Sequence, residues 1–170
     1  PSLPTKSGVI LSRYKASGNQ REYHFGIRQK EDALGVASGP FYFYFAKSID
    51  GNKGPSQSFY YSDKSLTASD IGTTANPIWI HVAFAYDAPR SKALFYINGA
   101  ANGESAITNP TIYSGALAVP PIAINAYVGC AQSSSNTPDI FLSGVLDNLA
   151  VFKNKILSPG EVLFLATESH

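Results

Sequence analysis

Two apolar runs with a short polar turn between them decide the fold: Trp79-Ile-His-Val-Ala-Phe-Ala-Tyr-Asp87 and Lys92-Ala-Leu-Phe-Tyr-Ile-Asn98-Gly99. Aromatic and β-branched residues dominate both runs, which is typical of strands with a half-buried face. Residues 87–91, Asp-Ala-Pro-Arg-Ser, have the composition of a turn, so the runs predict a β-hairpin. The Asn-Gly pair at the end of the second run is a further turn signal and closes that strand.

On both sides of this hairpin, apolar runs alternate with segments of Gly, Pro, Ser and Asn. The candidate strands are residues 9–14, 22–28, 41–46, 57–61, 78–86, 93–98, 122–128 and 140–152. Several have a period of two: Tyr23, Phe25 and Ile27 fall on one face of their strand. The last candidate is too long for one flat strand, and Gly144 marks a bend or bulge within it.

One helix is predicted, near the C-terminal end. Residues 158–161, Ser-Pro-Gly-Glu, form a capping box with Ser158 as the N-cap, Pro159 at the first helical position and Glu161 at the third. Eight or more strands with one short helix predict an all-β fold, a two-sheet antiparallel jelly-roll sandwich. No second domain is visible, so residues 1–170 are expected to form a single domain.

Length and composition exclude several classes of protein. A chain of 170 residues suits one domain that buries roughly 70% of its unfolded surface. With a net charge of +1 and no Lys/Arg runs, we expect neither nucleic acid nor an anionic membrane as the main partner. The longest apolar stretch, residues 78–86, is about half a membrane span, so no membrane insertion is expected. Because the chain begins at Pro1 without a signal peptide, we expect an excised part of a longer protein.

Motifs for catalysis are missing. A glycosidase needs two carboxylates about 5 to 10 Å apart, and no glutamate has an acidic residue two positions away, where the two would share a strand face. The histidines are residues 24, 81 and 170, far apart along the chain, and Cys130 is alone. We therefore expect no enzyme, although catalytic groups assembled from distant loops would leave no such motif.

Asp147 is predicted to be buried. It falls among Phe141, Val145, Leu149 and Val151 on a mostly apolar face of the candidate strand 140–152. A buried carboxylate must be paired or hydrogen-bonded. A structural clamp to backbone or to a basic side chain is therefore favoured over metal ligation.

The hairpin and the C-terminal part of the chain together resemble a known family. Residues 79–99 are similar to the W-x-H-V-A … Y-D … L-Y-I-N-G hairpin of laminin-G-like jelly rolls in the concanavalin A-like lectin/glucanase superfamily. Residues 141–152 and 157–162 are similar to that family's closing F-x-G-x-I-D-E-V-x-I-Y … L-S-x-x-E-I. The resemblance covers effectively the whole chain and implies a jelly roll. Such domains bind glycans, bind proteins or space enzymes apart.

Calcium is the one cofactor that the sequence raises. Asp50-Gly-Asn52 begins like a calcium loop, but Tyr61 stands where the closing glutamate belongs, and a Gly-rich turn explains the segment equally well. The resemblance implies a second place, because pentraxins bind calcium through acidic residues before the closing segment. Residues 129–135, Gly-Cys-Ala-Gln-Ser-Ser-Ser, have none, and Asn148 replaces the usual acidic residue. No essential calcium, and no other cofactor, is expected.

The expected function is carbohydrate binding by a non-catalytic, lectin-like module of a larger secreted or surface protein. Aromatic rings stack on the C–H faces of sugars, and amides bind their hydroxyls. Along residues 41–45, Phe-Tyr-Phe-Tyr-Phe, alternation sends the phenylalanines to the core and the tyrosines outward, about 7 Å apart. The candidate ligand-binding residues are rings and amides on or near this strand: Tyr42, Tyr44, Tyr60, Tyr61, Asn52 and Gln57.

A structural or protein-interaction role is the alternative. In an adhesin or fibre, the same aromatic surface would pack against neighbouring domains or subunits of the parent protein. A two-sheet core also needs Phe and Tyr, so each ring has a structural explanation as well. A glycan-active enzyme is the third and least favoured class.

Overall fold

The structure, a computed structural model, describes residues 6–31, 36–53, 55–73, 75–107, 112, 124–132 and 137–168. Most of the regular structure is strand. The elements in chain order are β1 (Gly8–Lys15), β2 (Gln20–Glu31), β3 (Ala37–Gly51), β4 (Gln57–Leu66), α1 (Ala68–Ile71), β5 (Val82–Asp87), β6 (Lys92–Ile97), β7 (Ala100–Ala106), β8 (Tyr127–Val128) and α2 (Pro159–Glu168).

These strands form two antiparallel sheets. The larger sheet has five strands in the order β4-β3-β2-β1-β8, and the smaller has three in the order β5-β6-β7. The core lies between them, where Phe45 of β3 stacks on Phe84 of β5 with ring centroids 4.1 Å apart. Phe95 of β6 lies 4.8 Å from Phe84, and burying each such ring contributes about 1.5 to 3 kcal/mol. The predicted all-β sandwich is confirmed.

The hairpin that decides the fold is present. β5 pairs with β6 from Val82 opposite Ile97 to Asp87 opposite Lys92. The Asp87 carboxylate closes the turn, since it accepts the backbone N–H of Arg90 at 3.2 Å and the Arg90 guanidinium at 3.0 Å. The turn that was predicted over residues 87–91 is thereby confirmed.

The Asn-Gly pair makes a second hairpin, which adds a strand that the sequence does not predict. Asn98 and Gly99 have φ of 50° and 78°, as a two-residue type I′ turn requires. The turn folds β7 back onto β6, with Ile97 opposite Ala100. β7 reads Ala-Ala-Asn-Gly-Glu-Ser-Ala, a composition of low β-propensity. Here the turn, rather than the strand residues, determines the pairing.

Two predicted strands are shorter in the structure. The strand predicted over 78–86 begins only at Val82, because His81 exchanges hydrogen bonds with Asn98 at the turn: its N–H donates to Oδ1 at 3.0 Å and its carbonyl accepts the Asn98 N–H at 2.8 Å. Of the strand predicted over 122–128, the described part pairs at Tyr127–Val128, and residues 122–123 lie outside the described residues.

The strand predicted over residues 140–152 is wrong. Leu142 donates its N–H to the carbonyl of Gly129 at 2.8 Å, but residues 143–152 belong to neither sheet. Phe141 and Val145 are 63% and 76% exposed. Alternation and β-propensity produce a strand only where a sheet edge runs alongside to accept its hydrogen bonds.

Asp147 is consequently not buried. It lies in the exposed part of this stretch, and its carboxylate accepts the backbone N–H of the next residue, Asn148, at 2.7 Å. The expectation of a buried structural clamp at Asp147 rested on the strand, and it is wrong for the same reason.

The predicted helix is confirmed and begins at Pro159. Ser158 donates its N–H and its hydroxyl to the Glu161 carboxylate at 2.8 and 2.9 Å. Lys155 and these donors lower the pKa of Glu161 to about 2, so the cap stays charged. No helix in the described ranges is long and apolar enough to cross a membrane.

α2 docks on the second hairpin turn. A Cβ built on Gly99 would lie 2.7 Å from Cδ1 and 3.0 Å from Cα of Leu163. Only glycine combines the positive φ of this turn with so close an approach of the helix. The turn therefore determines the β6–β7 pairing and also provides the surface on which α2 packs.

Replacing Gly99 with Ala should destabilise the protein through both effects. Gly18→Ala is the matched control, because Gly18 also has a positive φ, of 75°, but the nearest atom to its Cβ would be 3.9 Å away. We expect Gly99→Ala to lose about 1 to 3 kcal/mol more unfolding free energy in urea than Gly18→Ala. Equal losses would show that α2 does not pack on this turn.

Candidate functional site

The face of the five-stranded sheet that points away from the core carries a cluster of aromatic rings. Alternation along β3 puts Phe41, Phe43 and Phe45 in the core, as predicted, and puts Tyr42 and Tyr44 on this outer face. The rings of this outer-face cluster, each in contact with another member, are Tyr14, His24, Tyr42, Tyr44, Phe59 and Tyr61.

Strand register brings these rings together. Tyr44 lies opposite Gly26 of β2 on one side and opposite Tyr61 of β4 on the other. The ring of Tyr61 is 6.3 Å from that of Tyr42, edge to face, and 6.4 Å from that of Tyr44. Glycine is required at position 26, because a Cβ there would overlap the carbonyl oxygen of Gly8 in β1.

Two cations of β2 lie over the rings. The ammonium of Lys30 is 4.1 Å from the centroid of Tyr42 and 5.4 Å from that of Tyr61. The guanidinium carbon of Arg28 is 4.6 Å from the centroid of Phe59, and Arg28 is also paired with Glu31. Each exposed contact of this type is worth about 0.5 to 1 kcal/mol. The aromatic surface is therefore covered by positive charge.

His24 is buried in the cluster and neutral. Its Nδ1 lies 2.9 Å from the Tyr44 hydroxyl, and its Nε2 has no hydrogen-bond partner within the described part of the chain. Burial lowers the pKa of His24 to about 3, helped by the charges of Arg28 and Arg21. Burial likewise raises the pKa of the Tyr44 phenol. Two neutral groups thus share this hydrogen bond.

The tyrosines that were predicted to bind ligand differ in their exposure to solvent. Tyr42 and Tyr61 are half-buried on the outer face. Tyr44 is on the same face but only 2% exposed, beneath Arg28 and between His24 and Phe59, so its assignment as a ligand contact is corrected.

Tyr60 is also corrected. It is 6% exposed and faces the core, where it stacks on Phe45 at 6.5 Å. On β4 the alternation that turns Tyr61 outward necessarily turns its neighbour inward. The sequence left open which of the two extended the platform, and the structure selects Tyr61.

The two predicted amides are not brought to Tyr42 and Tyr61. Gln57 pairs with Ser48, four residues along β3 from Tyr44, a distance of roughly 13 Å. Asn52 lies in the loop beyond β3, where its N–H donates to Oδ1 of Asp50 at 2.8 Å. Both amides therefore belong to the far end of the β3–β4 hairpin.

The Asp50 carboxylate closes its own loop. It accepts hydrogen bonds from the Ser56 hydroxyl at 2.7 Å, the Asn52 N–H at 2.8 Å and the Ser48 hydroxyl at 3.2 Å. These donors lower the pKa of Asp50 to about 2. Across the described ranges, no three His, Cys, Asp or Glu side chains are grouped so that they could hold a metal ion.

The cations and His24 were not assigned to the site from sequence. Alternation in β2 does place His24, Gly26 and Arg28 on the face opposite Tyr23 and Phe25. The alternation shows that these residues share a face of β2. It does not show which residues of β3 lie beside them, because that depends on the register between the two strands.

Acidification should destabilise the fold through His24. Because its folded pKa of about 3 lies below the ordinary 6.5, the unfolded chain binds more protons between these values. The contribution of His24 to the unfolding free energy is fully present above pH 6.5 and falls by about 1 kcal/mol per pH unit towards pH 3. Urea unfolding from pH 7 to pH 4 should show this slope, and His24→Gln should flatten it. An unchanged slope in His24→Gln would contradict the assignment.

A comparison with protein families agrees with this architecture. The Laminin_G_3 family model, described as the concanavalin A-like lectin/glucanases superfamily, matches residues 2–163. A search of curated proteins finds no match.

Among solved structures, the chain is similar to a crystal structure of an S-layer domain-containing protein, residues 221–444, from Clostridium thermocellum ATCC 27405, with 19% identity and a TM-score of 0.39. The likeness covers 98% of this chain and 65% of that chain. The family match, in contrast, spans nearly the whole chain, which therefore belongs to the concanavalin A-like lectin/glucanase superfamily.

Proposed function

We propose that this chain is a non-catalytic carbohydrate-binding module of a secreted or surface protein, and that the ligand binds on the outer face at Tyr42 and Tyr61. One observation carries the proposal: two half-buried tyrosine rings lie 6.3 Å apart, edge to face, on the outer face of the larger sheet. One ring of such a pair can stack on the C–H face of a pyranose while the other contacts the edge of the sugar. Membership in a superfamily that includes lectins supports it.

Neighbouring rings on the same sheet face hold Tyr61 in place, which suits a binding site. Tyr61 stacks on Phe59 at 6.5 Å, and Phe59 stacks on the buried Tyr44 at 6.4 Å. Side chains held by packing on strands keep their geometry before the ligand arrives, so little ordering entropy is lost on binding.

The arrangement of carboxylates on β2 supports binding rather than hydrolysis. Glu22 lies 3.0 Å from Arg13, and Glu31 is paired with Arg28. The two glutamates are nine residues apart on one strand, roughly 30 Å, whereas a glycosidase needs about 5 to 10 Å. Burial raises the pKa of Glu22, and Glu31, the other glutamate of β2, lies too far from it to act as the second carboxylate.

Truncation of Tyr42 tests the site once a glycan array has identified a ligand. Tyr42→Ala should weaken binding by about 1 to 2 kcal/mol, whereas Tyr42→Phe, which keeps the ring, should bind like the parent. Tyr127→Ala is the control, because Tyr127 is a half-buried tyrosine on β8, three strands from β3 and roughly 14 Å away. Calorimetry gives the affinities, and dialysis against EDTA should leave them unchanged, since the proposal includes no metal.

The contrary result is equally clear. If Tyr42→Ala bound the glycan normally but melted several degrees earlier, its ring would serve the fold. The ligand site would then have to lie in the loops.

A protein-interaction role is the second candidate, favoured by the exposed apolar stretch at residues 141–152. Phe141, Val145 and Val151 are 63%, 76% and 68% exposed there, which is unusual for a monomer's surface. Neighbouring domains or subunits of the parent protein are the partners this candidate requires. If the protein-interaction role is correct, light scattering at micromolar concentration should show a stable oligomer. If the chain only binds carbohydrate, it should show a monomer.

A further inference from the structure

The outer face carries more positive than negative charge around Tyr42 and Tyr61. Two cations, Arg28 and Lys30, lie beside these rings, and Glu31 neutralises Arg28. Arg21, the other arginine of β2, is nine residues from Lys30, roughly 30 Å along the strand, and is too far away to contribute.

Lys30 is the accessible member of this set. Its side chain is exposed, and within the ranges that the structure describes no carboxylate lies within the 4.0 Å of an ion pair. Its ammonium rests on the ring faces of Tyr42 and Tyr61. Among the described residues, a cation without a carboxylate partner thus covers the rings that a sugar would use.

This cover discriminates between ligands by charge. A neutral sugar that stacks on Tyr42 must displace the ammonium from the ring, and it offers only hydroxyls in return. An acidic sugar offers a carboxylate or sulfate oxygen to the displaced ammonium, and such charge-assisted hydrogen bonds are stronger than neutral ones. When the Lys30 ammonium moves to pair with the acidic group, it also uncovers the Tyr42 ring for the sugar.

We propose that the ligand of this face is an anionic polysaccharide, whose acidic group binds the Lys30 ammonium while a sugar ring stacks on Tyr42. This inference rests on the proposed carbohydrate-binding function and narrows it to one charge class. A carboxylate and a sulfate meet the same requirement at Lys30, so both are included in the test.

Matched pairs of polysaccharides test the proposal by calorimetry with the whole chain. The probes are polygalacturonate with its carboxyl-reduced form, and chondroitin sulfate with its desulfated, carboxyl-reduced form. At least one acidic probe should bind more tightly than its neutral counterpart. Its affinity should fall as NaCl is raised from about 50 to about 300 mM, because salt screens the attraction between exposed charges.

Removing the charge of Lys30 tests whether this residue causes the preference for acidic ligands. Lys30→Gln should weaken binding of the acidic probe roughly two- to fivefold, the range expected for an exposed ion pair. Lys153→Gln removes the same charge from the exposed stretch before α2 and should leave the affinity unchanged. Circular dichroism should show both variants folded.

The outcomes separate this inference from the function on which it rests. If acidic and neutral forms bind equally and Lys30→Gln changes nothing, the charge preference is overturned, whereas carbohydrate binding at Tyr42 stands. If polyglutamate of matched charge binds as tightly as the acidic glycan, the surface is a general polyanion site and the proposal is overturned. If neither these probes nor the glycan array gives binding, the proposed function itself falls.

Discussion

The register of β2 against β3 determines both faces of the larger sheet at once. Phe25 opposite Phe45 supplies the core, and Arg28 opposite Tyr42 supplies the outer face. Because side chains alternate, a slip of one residue would exchange the two sets and expose the phenylalanines. Gly26 takes part in this constraint, since only a residue without Cβ lets β1 pass so close to β2.

The two faces then use aromatic rings in different ways. In the core, the ring of Phe84 stacks on Phe45 at 4.1 Å and lies tilted against Phe95 at 4.8 Å, and these rings join the sheets through the area that they remove from water. On the outer face, Tyr42 and Tyr61 are half-buried, and the ammonium of Lys30 lies over both rings. A removable cation can be exchanged for a ligand, whereas a ring packed between two sheets cannot.

Local signals predicted the parts of the fold that depend on local interactions. The capping box at Ser158, the turn at Asp87 and the alternation of Tyr42 with Phe43 all involve residues within a few positions of one another. The strand predicted over residues 140–152 was wrong because a strand also needs a partner edge, which no periodicity within the segment reveals. β7 was missed for the opposite reason: the Asn98-Gly99 turn imposes a pairing that its own composition does not favour.

The candidate site divides in the same way. Alternation predicted that Tyr42 faces outward, but not that Tyr44 would be covered, because its cover comes from Arg28 on another strand. The register between β2 and β3 also brings Lys30 to Tyr42. Neither cation could therefore be predicted from the residues that are near Tyr42 in the sequence. Asn52 and Gln57 are close to the tyrosines in the chain yet at the far end of the hairpin in space.

Intermolecular nuclear Overhauser effects between the protein and a bound acidic oligosaccharide test the central claim most directly. The account predicts contacts from sugar C–H protons to the ring protons of Tyr42 and Tyr61, together with a shift of the Lys30 side-chain resonances. Contacts confined to the loop at Asn52 and Gln57, with the Tyr42 and Tyr61 rings unperturbed, would contradict it.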